Sequence, residues 1–467
     1  MTNLTASRHR TRWVALTGLL VAEAMNLLDS TITTVVAPAI RSDLDGSAAD
    51  TQWIVAAYTL PFAVLLILGG RLGDMFGRRR VYLIGVIGFL VASIACACAA
   101  SMPMLLIVRV MQGAFAALVI PQTIGLIKAM FIGPALPRAL SFIGPVMGIT
   151  AVAGPILGGV LTAANIAGSS WRSVFLVNLP LGLLVLATAP LLSEDRAPRI
   201  PRLDPIGLLL TAVAGAAFVV PTIEGAEQDW PMWTWVSFAI AVTTVVLLGL
   251  HVRRAGRLGR DPIVEPSLFR DRGFPAALMT SLVYFGVSTA VVFAVVIYLE
   301  VGAGADVLTT SLTVLPFSAG LAVASLIGGQ LLVPRIGPKL MNPGIALLTL
   351  GLITTLVGGL APTGVSPLIP IGLGVAGLGG GTITVPFFTS ALSRVQPNET
   401  GSAAGLLNSV QQLGGTLGIA ALGTIASTIT PPAAGLAVAI GVAVALTLIL
   451  LGTVRAMLTP ALPNAGS

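Results

Sequence analysis

VAEAMNLLDSTITTVVAP, from Val21 to Pro38, is a membrane-length apolar stretch that carries two carboxylates, Glu23 and Asp29, where lipid should tolerate none. A charged side chain near the bilayer centre costs roughly 2.5–3.5 kcal/mol on insertion scales. Each acid therefore needs a partner or a task. Two readings of Asp29 compete: a group that titrates or binds a cation on a transport path, or a carboxylate locked permanently to another helix.

The whole chain has the character of that stretch. Of 467 residues, 55% are hydrophobic and only 9% charged, with a mean hydropathy of +0.97; soluble domains carry about 25% charged residues. An all-α polytopic membrane protein is the class this defines. The opening MTNLTASRHRTRW and the apolar run behind it have the charge pattern of a signal peptide, but the run is too long and many more follow, so it reads as the first span. Cys96 and Cys98 lie inside an apolar run with no nearby histidine and read as packing residues. His9 and His251 sit beside arginines at predicted membrane edges, so no metal site is expected.

At about 20 apolar residues per span, helices are predicted at 13–38, 52–70, 81–100, 104–126, 139–162 and 172–192, then at 205–223 and 232–251, then at 274–298, 309–333, 342–360, 366–391, 402–428 and 433–455. The pattern is fourteen spans arranged 6+2+6. It divides the chain into a first half (1–200), two inserted helices (201–255) and a second half (256–467). With both termini cytoplasmic, the inner segments hold all of the 25 basic residues except Arg41, Arg109 and Arg172, as the positive-inside rule requires. Acids gather on the other side, at Asp43, Asp45, Asp50, Glu224, Glu227, Asp229 and Asp306. The net charge of +7 thus needs no nucleic acid. All six tryptophans (13, 53, 171, 230, 233 and 235) fall at predicted span ends, where interfacial aromatics belong. His251 to Phe274 is the longest inner loop and the place for an amphipathic surface helix. GGRLGDMFGRRR at 69–80 is weakly echoed by GGQLLVPRIGPK at 328–339, and paired six-helix repeats around a midplane site suit a secondary transporter.

Three motifs carry chemistry. Gly70-Arg-Leu-Gly-Asp74-Met-Phe-Gly77-Arg78-Arg79-Arg80 reads as a short inner loop, with glycines for a tight turn and Asp74 placed to pair with an arginine or cap the next helix. A basic anchor alone would explain the arginines but not the Gly and Asp spacing. This pattern resembles the loop between the second and third helices of the major facilitator superfamily, departing from it at Met75. In the fourth span, Arg109-Val-Met-Gln112-Gly113 buries a cation that needs an anion. Counting along the helices places Arg109 and Asp29 roughly 9 Å and 6 Å outward of their span centres, so a pair is expected, with Gln112 on the same face. Gly148-Ile-Thr-Ala-Val-Ala-Gly154-Pro155-Ile-Leu-Gly158-Gly159 makes the fifth span thin and bendable. It resembles the antiporter signature of the superfamily's drug exporters, with Thr150 where glycine is usual.

Leu28-Asp29-Ser-Thr-Ile-Thr-Thr-Val-Val-Ala-Pro38, Trp53-Ile-Val-Ala-Ala-Tyr58 and Trp171-Arg172-Ser-Val-Phe-Leu-Val-Asn178-Leu-Pro180 extend the likeness over essentially the whole chain. Together they resemble the superfamily's fourteen-helix drug:proton antiporters, the group of multidrug and antibiotic exporters. The resemblance implies the major-facilitator fold in a bacterial cytoplasmic membrane, a proton-coupling role for Asp29, a coupling or structural role for Arg109 and a gating role for Gly70, Asp74, Gly77, Arg78 and Arg80. It implies no substrate.

Gly372-Leu-Gly374-Val-Ala-Gly377 fits a dinucleotide fingerprint only formally, since it sits in an apolar span without a preceding strand. With no GxxxxGK[ST], nucleophile elbow or HExxH, neither a nucleotide motor nor an intramembrane enzyme is expected. No cofactor is expected beyond a proton as coupling ion. The predicted cycle is alternating access, with protons entering as a bulky apolar or amphiphilic organic molecule leaves. Non-aliphatic side chains at depth are the candidate substrate contacts: Glu23, Asn26, Tyr58, Gln112, Phe115, Tyr284, Phe285, Asn408 and Gln411; helix packing is the alternative reading of each. Glu23 lies about 9 Å along the helix from Asp29 and ~240° around it, so it is read separately, as a group attracting cationic substrates, a second proton site or a structural hydrogen bond. The same fold exporting a lipid, siderophore or endogenous metabolite, and an uncoupled uniporter or channel, are the rival readings. Sequence does not set the oligomeric state.

Overall fold

The structure is a computed structural model, and it describes the chain except Met1 and residues 132, 134, 141, 166–167, 195–202, 259–263, 271, 362–365, 394, 396–399 and 460–467. Among the described residues there is no strand. The long apolar runs fold as helices because only a helix satisfies its own backbone polar groups in lipid.

The first compact unit comprises Met1–Leu203 together with Asp306–Leu312. It contains α1 (Thr2–Asp43), α2 (Ala48–Phe76), α3 (Arg78–Ala97), α4 (Met102–Met130), α5 (Ile143–Ala164) and a sixth span, α6 (Ser170–Leu191). The chain leaves α1 through a turn and enters α2 at a capping box: the Ser47 amide donates to Asp50 at 2.8 Å and the Asp50 amide to the Ser47 hydroxyl at 3.3 Å. α6 is not one helix. Ser173–Leu176 and Asn178–Thr188 meet at Val177, because Pro180 has no amide hydrogen to offer the Leu176 carbonyl. That joint sets the position of Asn178.

Within this unit α4 packs along both α2 and α3, while α1 packs on α5 and α6. Close approach depends on small residues, since lipid supplies no hydrophobic drive between helices. Gly69 lies so near the Ala117 carbonyl of α4 that a methyl group could not be inserted.

One expectation fails here and another is sharpened. The predicted loop at 70–80 is almost entirely helical: α2 continues through Asp74 to Phe76, α3 begins at Arg78, and the link is Gly77 alone, at φ 101°. A left-handed backbone there demands glycine. Trp171 falls at a span end as expected, but its ring packs inside the protein. It is buried at the head of α6, where its Nε1 donates to Asp43 at 2.8 Å alongside Arg172 Nη1, also at 2.8 Å. Asp43, expected as an outer-loop charge, ties α1 to α6.

The second compact unit comprises Asp204–Ala305 and Thr313–Ser467. Its helices are α7 (Pro205–Glu224), α8 (Met232–Arg257), α9 (Gly273–Ile297), α10 (Val307–Ile327, begun in the first unit), α11 (Met341–Gly359), α12 (Leu368–Leu392), α13 (Thr400–Gly418) and α14 (Pro432–Leu458). The two inserted helices, α7 and α8, belong to this unit. They are joined by His251, whose Nε2 lies 2.8 Å from Asp204, the residue that also caps α7 by accepting from the Gly207 amide at 2.9 Å. His251 thus faces an acid, not the arginines beside it in sequence. α11 and α12 form the closest pair, with Gly351 and Gly379 against the partner backbone. π-helical turns at Tyr298–Gly302, Gly328–Leu332 and Ile419–Gly423 interrupt α9, α10 and α13 at their ends.

Thirteen helices among the described residues are long and apolar enough to cross a membrane. The fourteenth predicted span is present as α13 and its continuation to Thr428, but Asn408, Gln411 and Gln412 keep it out of that set. Large apolar side chains such as Val242, Val245, Leu250 and Ile107 are exposed, as lipid-facing surfaces require. In the predicted surface segment at 251–274, α8 runs on to Arg257 and a 3-10 turn occupies Pro266–Phe269; residues 259–263 and 271 lie outside the described residues.

Candidate functional site

Asp29 and Arg109 meet in the interior of the first unit. Arg109 Nη1 is 2.6 Å from Asp29 Oδ2, and the two side chains are 0% and 1% exposed. In an interior this dry, each charge is tolerable only with the other present. The helices supply further partners. From α4, one turn beyond Arg109, Gln112 accepts from Arg109 Nη1 at 2.8 Å and donates to Asp29 Oδ1 at 2.9 Å. From α2, the Ile54 carbonyl accepts Arg109 Nε at 3.1 Å, and the Tyr58 ring lies 4.4 Å from the guanidinium carbon, a cation–π contact. Asn178 of α6 donates to Asp29 Oδ1 at 2.9 Å.

α3 completes the cluster. Ser93 Oγ accepts from Gln112 at 3.0 Å and Asn178 at 3.2 Å, while its own hydroxyl donates to the Phe89 carbonyl at 2.9 Å. Cys96, read from sequence as packing, donates its thiol to Gln112 Oε1 at 3.7 Å. Arg109 Nη2, Tyr58 OH and Asn178 Oδ1 are buried without a hydrogen-bond partner. The result is a carboxylate held by three donors, beside three unfilled polar atoms.

The residues predicted for this site divide. Asp29, Arg109, Gln112 and Tyr58 come together, but Glu23 does not join them. It is buried toward α4, beside Thr123, and Tyr82 of α3 is close by. The turn of the helix between positions 23 and 29 aims the two acids at different neighbours. Gly154 and Gly158 of α5 face Thr31, Ile32 and Val36 of α1, so this motif lets α5 lie against the helix carrying Asp29; Gly159 abuts Ser311, and Gly148 and Pro155 lie on the same helix.

Across the Gly77 link, Arg78 at the start of α3 pairs with Asp74 near the end of α2 at 2.6 Å. Asp74 does not cap α3. That task falls to Glu194, beyond α6, which accepts the Arg79 amide at 3.1 Å and lies against Gly77. Gly70 packs against Pro121, and Arg80 is exposed. Phe115 packs on Gly88 of α3, and Asn26 is buried on α1. In the second unit Tyr284 donates to the Gly380 carbonyl at 2.8 Å and meets Thr384 at 2.9 Å. Phe285 stacks edge-on with Tyr284 at 4.8 Å and touches Phe387 and Phe388; Asn408 and Gln411 are half-buried on α13.

Sequence reasoning missed Ser93 and Glu194 as site residues and quoted Asn178 without giving it a role. Asn178 stood in a recognisable motif. Ser93 and Glu194 had no local signal, because their partners lie on other helices.

Membrane-length helices with a buried, partnered carboxylate in the first span suit a secondary transporter. The chain belongs to the Major Facilitator Superfamily, whose profile matches residues 19–419. It is 40% identical over 421 residues, 89% of this chain and 72% of the other, to a probable actinorhodin transporter of Streptomyces coelicolor. It is 34% identical over 428 residues, 90% of this chain and 82% of the other, to a puromycin resistance protein of Streptomyces alboniger. A tetracenomycin C resistance and export protein of Streptomyces glaucescens is 32% identical, over 88% of this chain and 76% of its own. Among solved structures, a bacterial homolog of the human lysosomal transporter Spinster, inward-facing and unoccupied, matches with a TM-score of 0.68 at 18% identity, over 97% of this chain and 99% of the other. That likeness bears on the fold. The protein is a multi-pass integral membrane protein.

Proposed function

We propose that this protein exports bulky apolar or amphiphilic organic compounds, antibiotics among them, across the cytoplasmic membrane in exchange for protons. Export is supported by relatives named for actinorhodin transport, puromycin resistance and tetracenomycin C export. The observation that carries proton exchange is the buried Asp29 carboxylate, ion-paired to Arg109 at 2.6 Å. Protonation would neutralise Asp29, loosen its hold on Arg109 and let α1 shift against α4. Release of that proton would restore the pair. Gly77 is the helix link that such a movement would flex, with Gly70, Asp74, Arg78 and Arg80 on the helix ends it joins, and the glycines of α5 give α1 a smooth face to move along.

The cargo is a small organic molecule, and neither nucleotide nor nucleic acid takes part. Tyr284, Phe285, Asn408, Gln411, Asn26, Tyr58, Gln112 and Phe115 are the proposed source of cargo contacts, with Glu23 favouring amine-bearing compounds. The test is transport in proteoliposomes under an imposed pH gradient, with a panel of cationic and neutral antibiotics. Gradient-dependent movement that disappears in Asp29→Asn supports the reading. Transport indifferent to both the gradient and the substitution points to an uncoupled uniporter or channel instead.

A further inference from the structure

The two amides that hold Asp29 are not equivalent. Gln112 Nε2 and Asn178 Nδ2 each donate to Asp29 Oδ1 and to Ser93 Oγ. Ser93 spends its hydrogen on the Phe89 carbonyl, so its oxygen can only accept, and both amides must present N–H. A proton on Asp29 Oδ1 would then confront two N–H groups. On Oδ2 it would confront Arg109 Nη1. The cluster as arranged accepts the carboxylate and repels the acid.

Gln112 cannot relieve this, because its Oε1 is fixed by Arg109 Nη1 and the Cys96 thiol. Turning it over would press N–H against guanidinium. Asn178 has no such tie. Its Oδ1 is buried and unpartnered, so turning its carboxamide end for end forfeits nothing on the far side. It would bring an acceptor to face Asp29 Oδ1, and Ser93 could swing its hydroxyl from Phe89 to the same oxygen. The other titratable groups at the cluster are Arg109 and Tyr58 and the Cys96 thiol. α5 contributes none, Arg172 of α6 is committed to Asp43, and Glu23 faces Thr123.

We infer that Asn178 is the residue that registers the protonation of Asp29: its carboxamide donates to the carboxylate in one state and, turned over, accepts from the carboxylic acid in the other. This rests on proton exchange at Asp29. Asn178 is a positioning residue, linking the charge on α1 to the joint in α6.

The experiment uses the full chain. Drug transport is followed against pH in proteoliposomes for wild type, Asn178→Ala and Asp29→Asn. Infrared difference spectra on acidification are recorded for wild type with 15N-labelled asparagine. Asn178→Ala loses a hydrogen bond from each state, and the bond to the charged carboxylate is the stronger of the two, so the transport midpoint should move to higher pH by about one unit. In wild type, a side-chain amide band sensitive to the label should titrate together with an Asp29 carboxyl band that Asp29→Asn abolishes. An unmoved midpoint in Asn178→Ala, with pH dependence still lost in Asp29→Asn, overturns the role of Asn178 and leaves proton exchange standing. Undiminished pH dependence in Asp29→Asn overturns both. Should Asn178→Ala not fold, the spectrum decides: a labelled band that does not titrate overturns the inference.

Discussion

Arg109 Nη1 and Asp29 Oδ2 stand 2.6 Å apart although the two residues are 80 positions apart in the chain, and neither side chain reaches the surface. Removing one member strands a buried charge, whereas replacing both with apolar groups strands none. Arg109→Met should therefore cost about 3–5 kcal/mol of stability, and adding Asp29→Leu should recover most of it. Thermal unfolding in detergent measures both. The double variant should remain inactive in gradient-driven transport.

The single-residue link between α2 and α3 makes a second expectation. Gly77 sits at φ 101° with the Glu194 carboxylate against it, where a side chain would collide. Gly77→Ala should destabilise by about 1–3 kcal/mol and slow transport more than it weakens drug binding. A variant with wild-type turnover would show that the link does not flex in the cycle.

Glu194 gives a separable effect on the same link. It accepts the Arg79 amide at 3.1 Å from an exposed position. Glu194→Ala should cost about 1 kcal/mol, the ordinary value of a helix cap, and Glu194→Gln less. Equal stability of both variants and wild type would remove Glu194 from the link.

Glu23 tests selectivity. Its carboxyl is buried at Thr123, away from Asp29. Glu23→Gln should lower transport of cationic compounds relative to neutral ones while keeping gradient dependence. A parallel fall for both classes, with lost stability, would make it a structural hydrogen bond.

Asp306 carries a pH signature outside the membrane. Hydrogen bonds from the Thr309 amide and hydroxyl, at 2.8 Å and 2.9 Å, hold its carboxyl below the usual carboxylate value of 3.8. A lowered value in the folded chain means that this cap stabilises α10 above the ordinary carboxylate range and is lost as pH falls through the lowered value. Asp306→Asn should be less stable than wild type at neutral pH, approach it in acid and lose that part of the acid dependence, as read from acid-induced unfolding.

The sequence by itself determined the membrane class, nearly every span and the meeting of Asp29 with Arg109. Apolar length is a local property, and a buried charge of each sign at matching depth leaves few partners to choose from. The family motifs were legible for the same reason, being contiguous. Tertiary structure alone decided the rest. Whether Gly70 to Arg80 forms a loop depends on Gly77 being able to turn the chain in one residue, with Glu194 covering the new helix end. That Trp171 is a buried clamp depends on where α1 delivers Asp43. Above all, Ser93 and Asn178 became part of the site only once α3 and α6 packed beside α1. A hydroxyl and an amide have no sequence pattern that marks them as partners of a carboxylate 64 and 149 residues away, and their role comes from the direction in which each hydrogen points.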